Sequence, residues 1–413
     1  MKKTPVKGTR DYLPEETALR DHLQSIILGT YRDAGFSRIT TPILESAENL
    51  DKSDGGENLN LIFRVLKRGK KFEEAIAEEH PTEKSVSDMG LRYDLTLPLS
   101  RYYANNREQL VTPFKVIQMD RVYRAERPQK GRLREFMQCD IDIIGNASYD
   151  AEIDLILTTT AALKKTGLSD FTININDRHI LKAIFTYSGF NDEDFEKLAI
   201  IFDKLDKIGF DGVADELTDE SFDKAAVEKF KSLFADGSLS LDKAAGLPGA
   251  GEYADNVKKI IDTVNQITGN EYNIRFSPSL VRGQGYYTGT IFEINVPGYS
   301  GAIAGGGRYD NLIGKFTGED IPAVGFSIGF ERLFSILTEQ NYKDSQATKR
   351  IALFFDDDNM TEAFRLAEDY RKDYLVSVMK RPKKMGKFLD KLEAGGFAGF
   401  LTVADREIKM FTD

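Results

Sequence analysis

The sequence predicts an α+β protein of several domains, and three observations predict it. Extended, β-branched segments cluster in two separated regions, from FSRITTPILE to MQCDIDIIG and again from SLVRGQGYYTGTIFEINV to AVGFSIGFERLFSIL. Between them, from about Arg178 to Gln266, the chain becomes charge-rich and helical in period, as an inserted helical domain would. After Lys349 the segments IALFF, TEAFRLAEDYRKD, LVSVM, MGKFLDKLEAGG and FLTV alternate strand with helix, which predicts a small α/β domain. At 413 residues the chain exceeds the size at which one hydrophobic core keeps growing, so two or three domains are expected.

The individual elements follow from local rules. Residues from Pro14 to about Ala34 predict a helix stopped at Gly35, and Pro42 suits an edge or bulged strand. In MQCDIDIIG, Met137, Cys139, Ile141 and Ile143 alternate with Gln138, Asp140 and Asp142, the period of a strand with one polar face. Read alone, such a strand has a solvated outer side on which both aspartates are idle. In NDEDFEKLAIIFDKLDKIG, Phe195, Leu198, Phe202, Leu205 and Ile208 fall on one helical face, with Asn191 placed to cap the start and Gly209 to end it. The run Gly305 to Gly307 invites comparison with a phosphate loop. GxGxxG is absent, however, and Gly314-Lys315 is followed by Phe316 where Ser or Thr is required, so close backbone packing or a bulge is the better reading.

Composition narrows the function. No apolar run approaches membrane-spanning length and the start, MKKTPVKGTRDY, lacks the apolar segment of a signal peptide, which predicts a cytoplasmic protein with no membrane partner. Cys139 is the only cysteine, and His22, His80 and His179 lie far apart, so neither a disulfide framework nor a side-chain metal site is expected. The net charge of -10 argues against unspecific coating of nucleic acid. Yet RVYRAERPQKGRLREF gathers Arg121, Arg124, Arg127, Lys130, Arg132 and Arg134 beside a Pro-Gln-Lys-Gly turn. Guanidinium groups bind phosphate oxygens bidentately, so the stretch suits a triphosphate and a nucleic-acid backbone. Arg282 in VRGQGYY and Arg332 in GFERL stand at the edges of strand-like segments and reach the same pocket if the strands share one sheet. For each arginine taken singly, a surface ion pair is the competing account.

Taken together, KGTRDYLP, ITTPILE, LRYDLTLPLSRY, RVYRAERPQKGRLREFMQCDIDIIG, LVRGQGYYTGTIFE, GAIAGGGRYDNLI and AVGFSIGFERL resemble, in content and order, the segments of the histidyl-tRNA synthetases, a class II aminoacyl-tRNA synthetase family. LVRGQGYYTGTIFE and GAIAGGGRYD look like that family's two signature peptides. The resemblance implies an antiparallel six-stranded sheet flanked by helices, a helical insertion and a C-terminal anticodon-binding domain. The corresponding boundaries are 1–177 and 267–338 for the catalytic core, 178–266 for the insertion and 349–413 for the α/β domain. It implies ATP and Mg²⁺, histidine and tRNA(His) as substrates and partners, and a homodimer formed through ITTPILE. By match of position, Arg124 holds the α-phosphate, Glu126 the adenine end, Phe136 the base, Arg132 a further phosphate and Arg332 the γ-phosphate. Arg282 takes the place of the family's catalytic arginine and, with Tyr286, borders the histidine. Asp94, Thr96 and Gln138 surround the amino group, and Asp142 and Tyr287 read the imidazole. A substrate with an ammonium and an imidazole would explain why a strand carries acids on one face, since a buried unpaired carboxylate is costly.

Two departures accompany the resemblance. Gln284-Gly285 stands where many members carry Leu-Asp, and after FLTVADREIKMFTD the α/β domain lacks a last strand and helix that the family would carry. An alternative of another class is the histidine-sensing regulatory subunit of ATP phosphoribosyltransferase, which resembles the synthetase core without the anticodon-binding domain. Against it stand ERPQKGR, Arg124 and Arg332, which a protein that only senses histidine does not need. A purely structural RNA-binding protein would leave Tyr287 and Asp142 without a purpose.

Overall fold

A computed structural model describes residues 1–52, 60–129, 131–234, 239–282, 285–342 and 348–411, so Lys130 of the basic turn and Gln284 of the signature peptide lie outside the described residues. The chain forms two compact units, Met1–Arg10 with Gln24–Asn341, and Asp11–Leu23 with Tyr342–Asp413. In chain order the strands of the first unit are β1 (Ser37–Arg38), β2 (Leu44–Ser46), β3 (Arg64–Leu66), β4 (Ser87–Leu91), β5 (Phe114–Tyr123), β6 (Glu135–Ile144), β7 (Thr172–Asp177), β8 (Asn273–Phe276), β9 (Thr290–Asn295), β10 (Ala304–Arg308) and β11 (Ala323–Gly329). Those of the second are β12 (Arg350–Phe355), β13 (Leu375–Lys380), β14 (Gly399–Thr402) and β15 (Lys409–Met410).

An eight-stranded sheet in the order β1-β5-β6-β11-β10-β9-β7-β8 organises the first unit. Its middle six strands, β5 to β7 in that order, are antiparallel neighbours throughout, and the two short edge strands β1 and β8 run parallel to β5 and β7. The FSRITTPILE segment supplies the short edge strand β1, but Pro42, expected within an edge or bulged strand, lies in the break between β1 and β2, where its missing N–H interrupts no ladder. One face of the sheet is closed by apolar packing. Phe292 and Phe326 meet at 4.5 Å between ring centroids, and Phe330 and Leu333 of the helix Phe330–Glu339 are fully buried. On the same side Arg308 reaches the helix Asp150–Lys165 and donates two parallel bonds of 2.8 and 2.7 Å to the buried Glu152 carboxylate. A buried fork of this kind is costly to break from one side only, because the partner is left as an uncompensated charge.

Helices fill the chain between β7 and β8. The helix Arg178–Ser188 starts on Asp177, whose carboxylate accepts from the His179 backbone N–H at 2.8 Å, and Phe185, Phe202, Phe230 and Phe234 form an aromatic core with largely edge-to-face and tilted ring pairs. The single helix expected over 191–209 is two. One ends at Phe202 and the next starts at Leu205, and Gly209, at φ 69°, interrupts that second helix instead of ending it. Asn191 makes no side-chain cap, and Ile208 is exposed, so the apolar stripe serves the core only as far as Phe202.

The second unit is the α/β alternation that the sequence predicts. β13, β12 and β14 are parallel, with β15 added antiparallel to β14. Ile351, Leu353 and Leu401 pack with Ala363 and Ala367 of the helix Met360–Tyr370 on one face; Phe354 packs with Leu392 of the helix Met385–Ala394 and with Phe397 on the other. Among the described residues no helix is long and apolar enough to cross a membrane.

Candidate active site

In an antiparallel sheet directly opposed residues share a face, so the pairing register fixes what gathers there. One row across the six central strands reads Gln118, Asp140, Ser327, Gly305, Glu293, Asn174. The next reads Val116, Asp142, Gly325, Gly307, Ile291, Asn176. Asp140 and Asp142 are therefore not on a solvated side. Both are buried, at 4 % and 3 % exposure, because β6 lies inside the sheet and its polar face is roofed by other segments.

The glycines create the hollow. A Cβ on Gly305 would overlap the Arg282 guanidinium, one on Gly325 would overlap the Asp142 carboxylate, and one on Gly307 would approach the Tyr287 ring at 2.9 Å. The glycine run is thus a strand whose missing side chains leave room for functional ones. Arg282 lies over β10 and donates from Nη1 to Glu293 Oε2 at 3.0 Å, while its Nε is buried without a partner. Burial disfavours its charge, but Tyr287 and Glu293 more than offset that and hold the guanidinium firmly cationic.

The hairpin between β5 and β6 places the basic stretch. Arg124 leaves the end of β5 with its Nε donating 3.0 Å to the Tyr93 carbonyl and its guanidinium 5.1 Å from the centre of the Phe136 ring. Glu126 stands between Arg124 at 3.9 Å and Arg132 at 3.7 Å. Arg127 and Arg132 are exposed. Two other arginines of the stretch have structural partners, Arg121 with Glu135 across the strands at 3.4 Å and Arg134 with the Glu126 carbonyl at 3.1 Å. Arg332, in the first turn of the helix Phe330–Glu339, donates to the Ala302 carbonyl; burial and the charges of Arg132 and Arg282 lower its affinity for its proton. Arg332 thus feels the charge of both other arginines, and a polyanion would relieve that repulsion.

Opposite them is an acidic, aromatic corner. Asp94 precedes the helix Thr96–Asn106 and accepts from the Leu97 N–H at 3.2 Å; burial pushes its carboxyl up, while that bond and Arg124 oppose the shift. Tyr286 and Tyr287 pack edge to face at 5.0 Å; burial raises the Tyr286 hydroxyl, and a hydrogen bond with Thr96 works the other way. Tyr309 donates from its hydroxyl to Asp142 Oδ1 at 2.6 Å, and burial, partly countered by that bond, pushes Asp142 up to about 7. Gln138 donates to Ser327 Oγ at 2.9 Å and leaves its Oε1 buried and unpartnered. Every residue expected from the sequence, Arg124, Glu126, Arg132, Phe136, Arg332, Asp94, Thr96, Gln138, Asp142, Arg282, Tyr286 and Tyr287, belongs to the same compact unit.

Sequence reasoning gave no individual role to four residues that the sheet adds. Tyr309 sits in the quoted peptide GGGRYD, yet only the fold reveals that it is the partner of Asp142. Glu293 and Ser327 join through the pairing register, which no local pattern discloses. Asp140 has a buried carboxylate oxygen, Oδ1, without a partner among the described residues, whereas Asp142 is paired.

The chain matches the family model described as histidyl-tRNA synthetase over residues 8–333. A histidine–tRNA ligase of Leifsonia xyli is 40% identical over 415 residues, covering 97% of this chain and 95% of that protein, and one of Christiangramia forsetii is 32% identical over 427 residues, covering 98% and 93%. Among solved structures, histidyl-tRNA synthetase from Nostoc sp. aligns with TM-score 0.79 at 26% identity over 97% of this chain and 91% of that one. A Bacillus halodurans protein described as an ATP phosphoribosyltransferase regulatory subunit/histidyl-tRNA synthetase shares the fold at TM-score 0.79 and 21% identity, over 97% and 98% of the two chains. With the motifs, the antiparallel sheet and near full-length relatives in agreement, the chain belongs to the histidyl-tRNA synthetase family.

Proposed function

We propose that this protein is a histidine–tRNA ligase that forms histidyl-adenylate from histidine and ATP and transfers the histidyl group to the 3′ end of tRNA(His). The observation that carries the reading is the gathering, around one sheet face, of Arg332 with Arg132 and Arg282, whose charges act against its own, beside a buried Asp142–Tyr309 hydrogen bond. Cations suit the triphosphate, and the acid with its tyrosine suits an imidazole. The histidine carboxylate attacks the α-phosphorus, a new O–P bond forms, the bond from the α-phosphorus to the α,β-bridging oxygen breaks, and pyrophosphate leaves with that oxygen. Arg124 and Arg282 act on the charge that grows on the α-phosphoryl oxygens; Arg332 and Arg132 hold the outgoing phosphates; Phe136 and Glu126 hold the adenine. Asp94, Thr96 and Gln138 face the amino group, and Asp142, Tyr286 and Tyr287 border the side chain. Mg²⁺ would travel with ATP, since magnesium at nucleotides takes most of its ligands from phosphate and water.

The same reading assigns 1–177 and 267–338 to the catalytic core, 178–266 to a helical insertion and 349–413 to an anticodon-binding-like domain, in a cytoplasmic homodimer. Ile43 and Leu44 of the ITTPILE segment are exposed, which favours a subunit contact there. Histidine-dependent exchange of labelled pyrophosphate into ATP tests activation, and charging of tRNA(His) tests transfer. A regulatory subunit would show neither. The near full-length likeness to histidine–tRNA ligases and the intact Arg124 and Arg332 positions do not favour that alternative.

A further inference from the structure

Buried polar atoms in folded proteins nearly always find a partner, so those that do not call for an explanation. Three buried atoms without one belong to residues around the same row of this sheet face: the acceptors Gln138 Oε1 and Asp140 Oδ1 and the donor Arg282 Nε. Gln138 and Asp140 are two apart on β6 and share its face; Asp140 opposes Ser327, which opposes Gly305, over which Arg282 lies. Two acceptors beside one cationic donor form the complement of an ammonium next to a carboxylate. The other three carboxylates nearby are already engaged, Asp142 by Tyr309, Asp94 by the Leu97 N–H and Glu293 by Arg282.

We infer that Asp140 is a third carboxylate of the amino-acid site, accepting a hydrogen bond from the α-ammonium group of the bound amino acid beside Gln138 and so selecting substrates with a free, charged amine. The inference rests on the histidine-activating reading above. The electrostatics agree with it. Burial and the neighbouring Asp142 push the Asp140 carboxyl well up, a hydrogen bond with Ser327 opposes this, Asp94 adds to it and Arg124 opposes it. An arriving ammonium is the charge that would let this carboxylate ionise in place.

Two ligands that share the imidazole isolate the contact. Histidinol keeps the ammonium and lacks the carboxylate; 3-(imidazol-4-yl)propanoate keeps the carboxylate and lacks the ammonium. Calorimetry on the whole protein should find histidinol binding weakened about 10- to 100-fold in Asp140→Asn, with binding of the propanoate changed less than about twofold. Asp140→Ser, uncharged but still able to accept a hydrogen bond, gives a second variant with the same expected selectivity loss should the first fold poorly. Equal weakening of both ligands would assign Asp140 a structural role and overturn the inference, as would unchanged histidinol binding. A wild-type protein that binds neither histidine nor histidinol would instead overturn the functional reading on which it rests.

Discussion

At the scale of single residues, the site is a set of charges that the protein holds at a cost until substrate arrives. Arg282 is the clearest case, because on the proposed function it would face charge that develops only as the α-phosphorus is attacked. Arg282→Ala should lower kcat for pyrophosphate exchange by about 100-fold or more while KM for histidine moves far less. Asp142 shows the cost directly. Its carboxyl is pushed up to about 7 from 3.8, so the folded protein keeps this proton where the unfolded chain has lost it. The penalty is absent below about pH 4, grows as pH rises through that interval, and is complete above about pH 7. Asp142→Asn should therefore raise stability by on the order of 2–4 kcal/mol at pH 8 and by less at pH 5, read from melting curves, while weakening histidine binding. A variant that melts no higher at pH 8 would show that the carboxylate is better solvated than its burial implies.

At the scale of elements, β10 explains why three consecutive glycines are needed in a strand that they would ordinarily weaken. Gly305 gives its space to Arg282, Gly307 to Tyr287, and Gly306 lets the strand approach Gly325 of β11. Gly305→Ala should mimic Arg282→Ala in pyrophosphate exchange, with a loss of about 100-fold, since the added methyl displaces the guanidinium. Circular dichroism unchanged from wild type would accompany that loss, because Gly305 has an ordinary strand conformation and the sheet remains paired. Activity surviving the substitution would mean that Arg282 works from another position. The helix boundaries near 203–209 show the opposite situation: a strong apolar period was legible, but the break between Phe202 and Leu205 was not. A 3.6-residue period carries across a short interruption without recording it.

At the scale of the whole molecule, all residues assigned to activation belong to the first compact unit, while Asp11–Leu23 belongs with Tyr342–Asp413. Removing residues from 342 onward should preserve pyrophosphate exchange within a few-fold and raise KM for tRNA in charging. In the second unit Lys380 pairs with Asp357 at 2.5 Å and Arg381 with Asp356 at 3.8 Å, which leaves Lys383 and Lys384 as its phosphate-seeking charges in KRPKK. Because phosphate contacts fall steeply with salt, the shortened protein should also show a flatter salt dependence of tRNA KM. Identical KM values for full and shortened proteins at several salt concentrations would move tRNA selection to the Arg127 and Arg132 hairpin. Melting of the shortened protein should fall as well, since Leu23 is fully buried in the intact chain.

The sequence by itself determined the kinds of element, the family and most of the charged residues that gather around the sheet face. Those signals are local: strand and helix periods, glycine and proline stops, and peptides such as RVYRAERPQKGRLREF, LVRGQGYYTGTIFE and GGGRYD whose residue types and order are readable without any contact. What only the tertiary structure decided is which of them meet. Whether Asp140 faces water or a hollow depends on strands that arrive almost two hundred residues later, and the partnership of Asp142 with Tyr309 spans a separation of 167 positions. The pairing register of β6, β11, β10 and β9 is set by burial of the apolar face that includes Phe292 and Phe326, and it is that packing which aligns the acids, the glycines and Glu293 on the other.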